Sequence, residues 1–257
     1  MDLGIRGKVA VVTGGTDGIG KATALMLAQE GAKVAICARR KEMLDATADE
    51  IKKTGAEVVA VVTDVGIAGD IERFIKAVVE RFGGIDILVN NAGKTSAGKF
   101  LEVTDETWHT DIDVKLFGAI RCSRLAVPYM KARGGGRIIN ITTPNGKIPG
   151  AESMPTSVSR AAGLALTKAL SKEFAPHNIL VNTVCIGRIK SGQHERNYRR
   201  EGISADDYYK RVGKTIPLGR VGEASEAASV ITFLASNAAS YVTGTSINID
   251  GGSSGVL

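Results

Sequence analysis

The stretch Thr13-Gly14-Gly15-Thr16-Asp17-Gly18-Ile19-Gly20 decides the fold. It lies between an apolar run, Lys8–Thr13, and an amphipathic stretch, Gly20–Gln29, which predicts a strand, a turn and a helix. Glycines let a backbone turn tightly and approach a ligand closely, and a helix N-terminus offers N–H groups to a phosphate. The spacing is Gly-x-x-x-Gly-x-Gly, not the commoner Gly-x-Gly-x-x-Gly. The stretch predicts a pyrophosphate-binding turn, with a plain strand-to-helix turn as the alternative.

Outward from this turn, short apolar runs alternate with longer amphipathic stretches. Further strands are predicted at Lys33–Cys37, Val58–Val62, Ile87–Val89, Arg137–Thr142, Ile179–Val184 and Ser246–Asp250. Further helices are predicted at Lys41–Lys53, Asp70–Arg81, Asp105–Lys131, Pro155–Phe174 and Glu223–Ala235. Strands that are apolar on both faces are typical of a parallel sheet covered by helices. We therefore predict an α/β fold, a single doubly wound Rossmann-type domain with a parallel sheet over residues 1–257, in which Gly187–Thr215 is irregular and mobile.

Composition excludes several classes of protein. The chain has 257 residues, a net charge of +6 and three cysteines, and the cysteines are too scattered for a disulfide framework or a structural zinc site. No window is apolar enough to span a membrane, and the first residues lack the apolar core of a secretory signal. Aromatic residues make up only 5% of the chain, and no nucleic-acid-binding motif is present. We expect a reduced cytoplasmic protein with no membrane or nucleic-acid partner, whose positive charge serves an anionic small molecule.

Several further motifs give the chain a family resemblance. Asn90-Asn91-Ala92-Gly93 follows the fourth predicted strand, and Gly219–Glu223, Tyr241–Gly244 and Ile249–Gly252 follow near the end. Together with the glycine turn they resemble the short-chain dehydrogenase/reductase family over essentially the whole chain. The resemblance implies a nicotinamide dinucleotide cofactor and a homodimer or homotetramer formed through Asp105–Lys131 and Pro155–Phe174. The cofactor-binding residues that it implies are Gly14, Thr16, Asp17, Gly18, Ile19, Gly20, Asp64, Val65, Asn91, Ala92, Gly93, Ile189 and Ser191.

The end of the second strand distinguishes two cofactors. An acidic residue there would hydrogen-bond the ribose 2′-hydroxyl of NAD, but Ala38 stands in that place. Arg39 and Arg40 follow, and arginine offers a planar fork to a phosphate. We therefore predict NADP rather than NAD; the alternative is that both arginines are solvated at a helix start. Asp17 is expected either to repel the 2′-phosphate or to orient Arg39.

The family's catalytic chemistry uses an asparagine, a serine, a tyrosine and a lysine. By local context these places are taken here by Lys115, Thr143, Thr156 and Arg160, so all four depart from the usual pattern. The change at Thr156 matters most, because an aliphatic hydroxyl is a far weaker acid than a phenol with its pKa of ~10. We expect ordinary carbonyl reduction at such a site to be slow.

Two interpretations of these changes remain open. In the first, the chain is an enzyme with a rebuilt site, in which Arg160 lowers the pKa of Lys115 and makes it an acid or base. The same two cations are also candidates to bind a substrate carboxylate. The alternative without function is that Lys115 is a solvated helix lysine. In the second, the chain is a pseudoenzyme that binds nucleotide and serves as partner subunit of an active paralogue in a hetero-oligomer.

A basic segment follows the sixth strand. Its cations are Arg188, Lys190, Arg196, Arg199 and Arg200, opposed by Glu195 and Glu201. The resemblance implies a helical lid here, and a basic lid favours an anionic substrate, with a solvated helix face as the alternative. Further candidates for acid–base chemistry are Glu152, His194, Tyr198, Tyr208 and Tyr209, whose alternatives are surface or packing roles.

Overall fold

The computed structural model describes residues 2–256, so Met1 and Leu257 of the predicted domain lie outside it, as does the side chain of Arg196. The sheet has seven strands within these residues, all parallel, in the order β3-β2-β1-β4-β5-β6-β7. Their bounds are β1 Val9–Thr13, β2 Lys33–Ala38, β3 Val58–Val62, β4 Ile87–Asn90, β5 Gly136–Thr142, β6 Ile179–Ile186 and β7 Ser246–Ile249. The predicted α/β class and parallel sheet are confirmed.

Helices cover both faces of this sheet. Their bounds are α1 Gly18–Gln29, α2 Lys41–Lys53, α3 Ala68–Phe82, α4 Asp105–Ile112, α5 Gly118–Ala132, α6 Thr156–Phe174, α7 Glu195–Glu201, α8 Ala205–Gly213 and α9 Ala224–Ala235. On one face Leu27, Leu44 and Ile231 of α1, α2 and α9 are fully buried against the strands. On the other face Phe74 and Met130 of α3 and α5 are equally buried. Each face removes its apolar side chains from water, which is the main stabilising contribution to a doubly wound fold.

The strand order reverses between β1 and β4. The chain runs outward from β1 to β2 and β3, then returns to β4 on the other side of β1. At such a point the connections leave the carboxyl ends of the strands in opposite directions, and a crevice opens between them. Thr13 ends β1 and Asn90 ends β4, so the glycine turn and the Asn90–Gly93 motif both border this crevice.

Two expectations need correction. The predicted single helix Asp105–Lys131 contains a wider π-helical turn, Asp113–Phe117, between α4 and α5. The segment Gly187–Thr215 is not irregular, because it forms α7 and α8. Gly202 ends α7 in the left-handed conformation, and Ser204 caps α8 by accepting from the Asp207 N–H. The glycine and serine therefore mark helix boundaries.

Within residues 2–256, no helix combines the length and the apolar character that crossing a bilayer requires.

Candidate active site

A large cavity lies at the carboxyl ends of β1 and β4. Its volume is about 1280 Å³. Most of the predicted site residues form its wall: Gly14, Asp17, Gly18, Ile19, Arg39, Arg40, Asn91, Ala92, Gly93, Thr143, Thr156, Arg160, Ile189 and Ser191. Five predicted residues do not: Thr16, Gly20, Asp64, Val65 and Lys115. The cavity therefore joins the candidate cofactor residues to three of the four candidate catalytic residues.

The glycine turn is held against the end of β4. Asn91 donates from Nδ2 to the carbonyls of Thr13 (2.9 Å) and Gly14 (3.0 Å), so its side chain fixes the turn. A Cβ on Gly20 would lie 2.2 Å from the Gly14 carbonyl oxygen, and one on Gly14, which has a φ of +65°, would lie 3.0 Å from Ala92 Cα. Only glycine fits both places, and the turn thereby exposes the backbone that a diphosphate needs to approach.

Asp17 has a role that neither of the two expectations included. It caps α1 by accepting from the Gly18 N–H (2.7 Å), and its other oxygen accepts from the Gly192 N–H (3.0 Å). It does not orient Arg39, whose guanidinium lies 3.8 Å from Asp64 Oδ2 instead. The Arg39 side chain is 67% exposed, so it is available to a phosphate bound at the end of β2.

Lys115 belongs to a buried polar cluster behind the cavity wall. Its Nζ donates to the Asp111 carboxylate and to Thr156 Oγ1, the latter at 2.8 Å. The Lys115 and Asp111 side chains are 2% and 0% exposed. Ser159 Oγ donates to Asp111 Oδ2 at 2.6 Å. Since its ammonium group is turned into this cluster, Lys115 is not placed to clamp a substrate carboxylate.

The surroundings of Lys115 favour its neutral form. The pKa of Lys115 is lowered to about 8, chiefly by burial and next by the charge of Arg160, while Asp111 acts in the opposite direction. A Cβ built on Gly93 would lie 3.3 Å from Lys115 Cγ and 3.1 Å from an Arg160 terminal nitrogen, which places both cations beside the same backbone. The Lys115 pKa is lowered, as we expected, although burial rather than Arg160 is the largest cause.

Thr156 connects the cluster to the cavity. Its hydroxyl oxygen accepts from Lys115 Nζ and from the Ser96 N–H (3.0 Å), which occupies both lone pairs. The hydroxyl proton is left with only Asp111 Oδ1 at 3.4 Å, a long contact. An oxygen atom in the cavity could replace this long contact as the acceptor of the Thr156 O–H.

Two other polar groups of the wall have spare hydrogen-bonding capacity. Thr143 Oγ1 and Arg160 Nε are buried without a hydrogen-bond partner among the described residues. Arg160 is anchored by donation to the Ile141 carbonyl at 2.5 Å. Buried polar atoms without partners are costly, so these two atoms are expected to gain partners when a ligand fills the cavity.

The lid segment closes over the cavity through its first residues. Gln193 Nε2 donates to the Gly93 carbonyl (3.2 Å), and His194 forms part of the wall. Burial and Arg188 lower the pKa of His194, which favours its neutral ring. The tyrosines pack in the lid instead of facing the cavity: Tyr208 is 5% exposed, and Tyr209 donates to the Ser191 carbonyl. Tyr198 packs against Tyr208.

Glu152 does not contribute to the site. It is exposed, has a φ of +56° and lies outside the cavity wall. The alternative, a surface role for Glu152, therefore describes it better.

Sequence reasoning missed three members of the site. Asp111 accepts from Lys115 and from Ser159, and the Ser96 N–H donates to Thr156. Asp111 precedes Lys115 by four residues on a helix, and Ser159 follows Thr156 by three, spacings that place side chains on one face. Those spacings were signals for Asp111 and Ser159. No sequence signal marks the Ser96 amide.

A doubly wound parallel sheet with a braced glycine turn at its switch point defines a dinucleotide-binding α/β protein. The family model described as Enoyl-(Acyl carrier protein) reductase matches residues 14–254. A 3-oxoacyl-(acyl-carrier-protein) reductase of Thermotoga maritima is 38% identical over 96% of this chain and 98% of its own. The chain belongs to the short-chain dehydrogenase/reductase family and is an oxidoreductase-like protein of that family.

Two solved structures resemble the whole chain. L-sorbose reductase from Gluconobacter frateurii, complexed with NADPH and L-sorbose, has a TM-score of 0.95 and 34% identity over 100% of both chains. A short chain oxidoreductase from Pseudomonas aeruginosa PAO1, bound to NADPH and described as containing an atypical catalytic center, has a TM-score of 0.91 and 37% identity. That match covers 97% of this chain and 98% of the other. Both neighbours hold NADPH, the reduced form of the cofactor predicted from Arg39 and Arg40.

Proposed function

We propose that this chain is an NADP(H)-dependent oxidoreductase that interconverts a carbonyl group and an alcohol, with the substrate oxygen at Thr156 and the proton supplied by Lys115. The observation that carries the proposal is the hydrogen bond from Lys115 Nζ to Thr156 Oγ1. Thr156 faces the cavity, while Lys115 lies behind it in a buried cluster. The proposed substrate is an anion, because the basic segment favours one.

The cavity wall fits the cofactor. The exposed backbone at Gly14 and Gly18 suits its diphosphate, and Arg39 and Arg40 suit a 2′-phosphate. Arg160 has an unpartnered nitrogen to offer to a ribose hydroxyl. When bound, NADP(H) supplies the hydride that the reaction transfers to or from carbon.

Thr156 acts as a proton conduit in this mechanism. Its hydroxyl donates to the substrate oxygen as that oxygen gains negative charge, and Lys115 passes a proton to Thr156 Oγ1 in the same event. Thr156 never carries a full negative charge, so the weak acidity of an aliphatic hydroxyl is no obstacle. The acid is Lys115, whose pKa of about 8 is well matched to proton exchange near neutral pH.

Asp111 and Ser159 position this acid. The Asp111 carboxylate fixes the Lys115 ammonium, and Ser159 fixes the carboxylate by its hydrogen bond at 2.6 Å. Asp111 also limits the fall in the Lys115 pKa that burial and Arg160 cause. Thr143, whose hydroxyl has no partner within residues 2–256, is the second donor offered to the substrate oxygen.

A turnover screen with matched variants tests the proposal. Aldehydes and ketones are incubated with NADPH and the wild type, Thr156→Val or Thr156→Ser, and loss of NADPH absorbance is followed. Thr156→Val keeps the shape but removes the conduit, so turnover should fall about 10²-fold or more. Thr156→Ser keeps the hydroxyl and should retain most of it. Equal turnover by the valine variant contradicts the mechanism.

The alternative is the nucleotide-binding pseudoenzyme that serves as partner subunit of an active paralogue. It predicts NADPH binding without turnover by the isolated chain, and co-purification with a related chain that has a Tyr-x-x-x-Lys pair. The homodimer or homotetramer through the α4–α5 helices and α6 stays part of the main proposal, and light scattering of the purified chain tests it.

A further inference from the structure

A second, smaller cavity opens beside the first and has a volume of about 470 Å³. Its wall consists of Lys94, Thr95, Arg188, Gln193, His194, Asn197 and Arg200. All of these except Asn197 and Arg200 also line the large cavity, so the two spaces are continuous. A substrate held at Thr156 therefore has a path into the smaller space.

The charge of this smaller cavity is one-sided. Lys94, Arg188 and Arg200 bring three cations to its wall, and among residues 2–256 no carboxylate lines it. The remaining wall residues are neutral and polar. Burial and Arg188 hold the pKa of His194 below its usual value, so the ring adds no further charge near neutrality.

These three cations also lack protein partners. Across residues 2–256, neither an ion pair nor a hydrogen bond engages the side chain of Lys94, Arg188 or Arg200. We call these three residues the basic subsite. Charged side chains that converge on one cavity repel each other, so an anion bound there gains the attraction of all three.

Other cations of the same lid are paired. Lys190 binds Glu223 at 2.5 Å, Arg199 binds Glu195, and Arg211 binds Glu201. The acidic residues of the segment, Glu195 and Glu201, are thus each held by another arginine. Lys190, Arg199 and Arg211 are thus neutralised, whereas Arg188 and Arg200 of the basic subsite are not.

We infer that the basic subsite binds an anionic oxygen group, a carboxylate or a phosphate, carried by the substrate whose carbonyl or alcohol is held at Thr156. This inference rests on the proposed function for the reacting end of the substrate. Arg188 and Arg200 offer planar forks that match such a group bidentately, and Lys94 adds a compact charge. Gln193, bonded to the Gly93 carbonyl, closes the lid beside the bound group.

Paired substrates test the inference by turnover. Acetoacetate is compared with methyl acetoacetate, and dihydroxyacetone phosphate with dihydroxyacetone, all at saturating NADPH. The charged member of a pair should have a kcat/KM at least about tenfold higher. The double variant Arg188→Gln/Arg200→Gln should lose that advantage, so that the charged and uncharged members of a pair have similar kcat/KM. Arg199→Gln removes the same charge from a paired residue on α7 and should preserve the advantage.

A binding measurement separates this inference from the proposed chemistry. Inorganic phosphate is titrated into the ¹⁵N-labelled NADPH complex, in which the cofactor already occupies Arg39 and Arg40. Backbone amide signals of Lys94 and Gln193 should shift with saturation in the wild type and in Arg199→Gln, but not in the double variant.

The outcomes then divide clearly. Phosphate binding that the double variant abolishes, without turnover of any substrate, supports the subsite and contradicts the proposed reaction. Turnover with equal kcat/KM for charged and uncharged members overturns the subsite and leaves the reaction standing. Phosphate shifts that persist in the double variant also overturn the subsite.

Discussion

The Lys115 ammonium lies 2.8 Å from Thr156 Oγ1, although the two residues are 41 positions apart and belong to different helices. Lys115 is fully enclosed, and Thr156 borders the cavity. Their hydrogen bond gives a buried cation access to the cavity through a hydroxyl that is itself neutral.

Lys115→Met should abolish turnover and leave the affinity for NADPH nearly unchanged. The change removes the proposed proton donor, but Lys115 lies outside the cavity wall. Stopped-flow turnover and isothermal titration with NADPH are the two measurements. Lys172→Met, at an exposed position of α6, is the matched control and should behave as wild type. Retained activity in Lys115→Met would leave Lys115 a structural role only.

The pH dependence should report the same lysine. Carbonyl reduction needs protonated Lys115, so kcat should be level at lower pH and fall as the pH rises through about 8. Alcohol oxidation needs the neutral amine and should rise through the same range. A pH–rate profile of each reaction checks this. If kcat for reduction and kcat for oxidation changed in the same direction with pH, Lys115 would be ruled out as the group that exchanges the proton.

In Asp111→Asn, the fall of kcat for carbonyl reduction should move to lower pH. The carboxylate raises the Lys115 pKa against burial and Arg160, so its removal lets the pKa fall. Breaking a buried ion pair also destabilises the fold, by about 3–5 kcal/mol. Ser159→Ala removes only the hydrogen bond that holds Asp111 and should give a smaller shift in the same direction with a folded protein. A fall of kcat that stays at the same pH in both variants would remove Asp111 from the proposed role.

NADP(H) should bind more tightly than NAD(H). Arg39 and Arg40 line the cavity next to Ala38, where no carboxylate opposes a 2′-phosphate. The double change Arg39→Gln/Arg40→Gln should reduce the preference about tenfold or more, since hydrogen bonds to charged groups contribute ~1.5–3 kcal/mol. Isothermal titration of both cofactors measures it. Equal affinities for NADP(H) and NAD(H) in the wild type would mean that Arg39 and Arg40 are merely solvated.

Much of the fold could be predicted because local patterns decide it. The glycine turn and the apolar strands follow from backbone freedom and two-sided burial, and both lie close to their predicted places. The wide turn at Asp113–Phe117 could not be predicted, because its residues have no pattern that distinguishes it from an α-helix. That turn contains Lys115, so its neighbours had to come from the structure.

The site was predictable where a residue acts through its own position. Arg39, Thr143 and Thr156 line the cavity as expected. The role of Asp17 was not predictable, because its partner Gly192 is 175 residues away and bonds through its backbone. Asp111 was overlooked although it precedes Lys115 by four residues, because its importance depends on the enclosure of Lys115, which packing decides.

The carboxylate of Asp17 has a consequence for movement of the lid. One oxygen holds the start of α1 and the other holds the Gly192 amide at the start of the lid, so the two ligand regions share a latch. A Cβ on Gly192 would lie 2.6 Å from the same carboxylate, so that an alanine there would displace the Asp17 side chain. Opening of the lid at Gly192 should therefore disturb the cap of α1, so that lid movement and cofactor binding at the start of α1 are coupled.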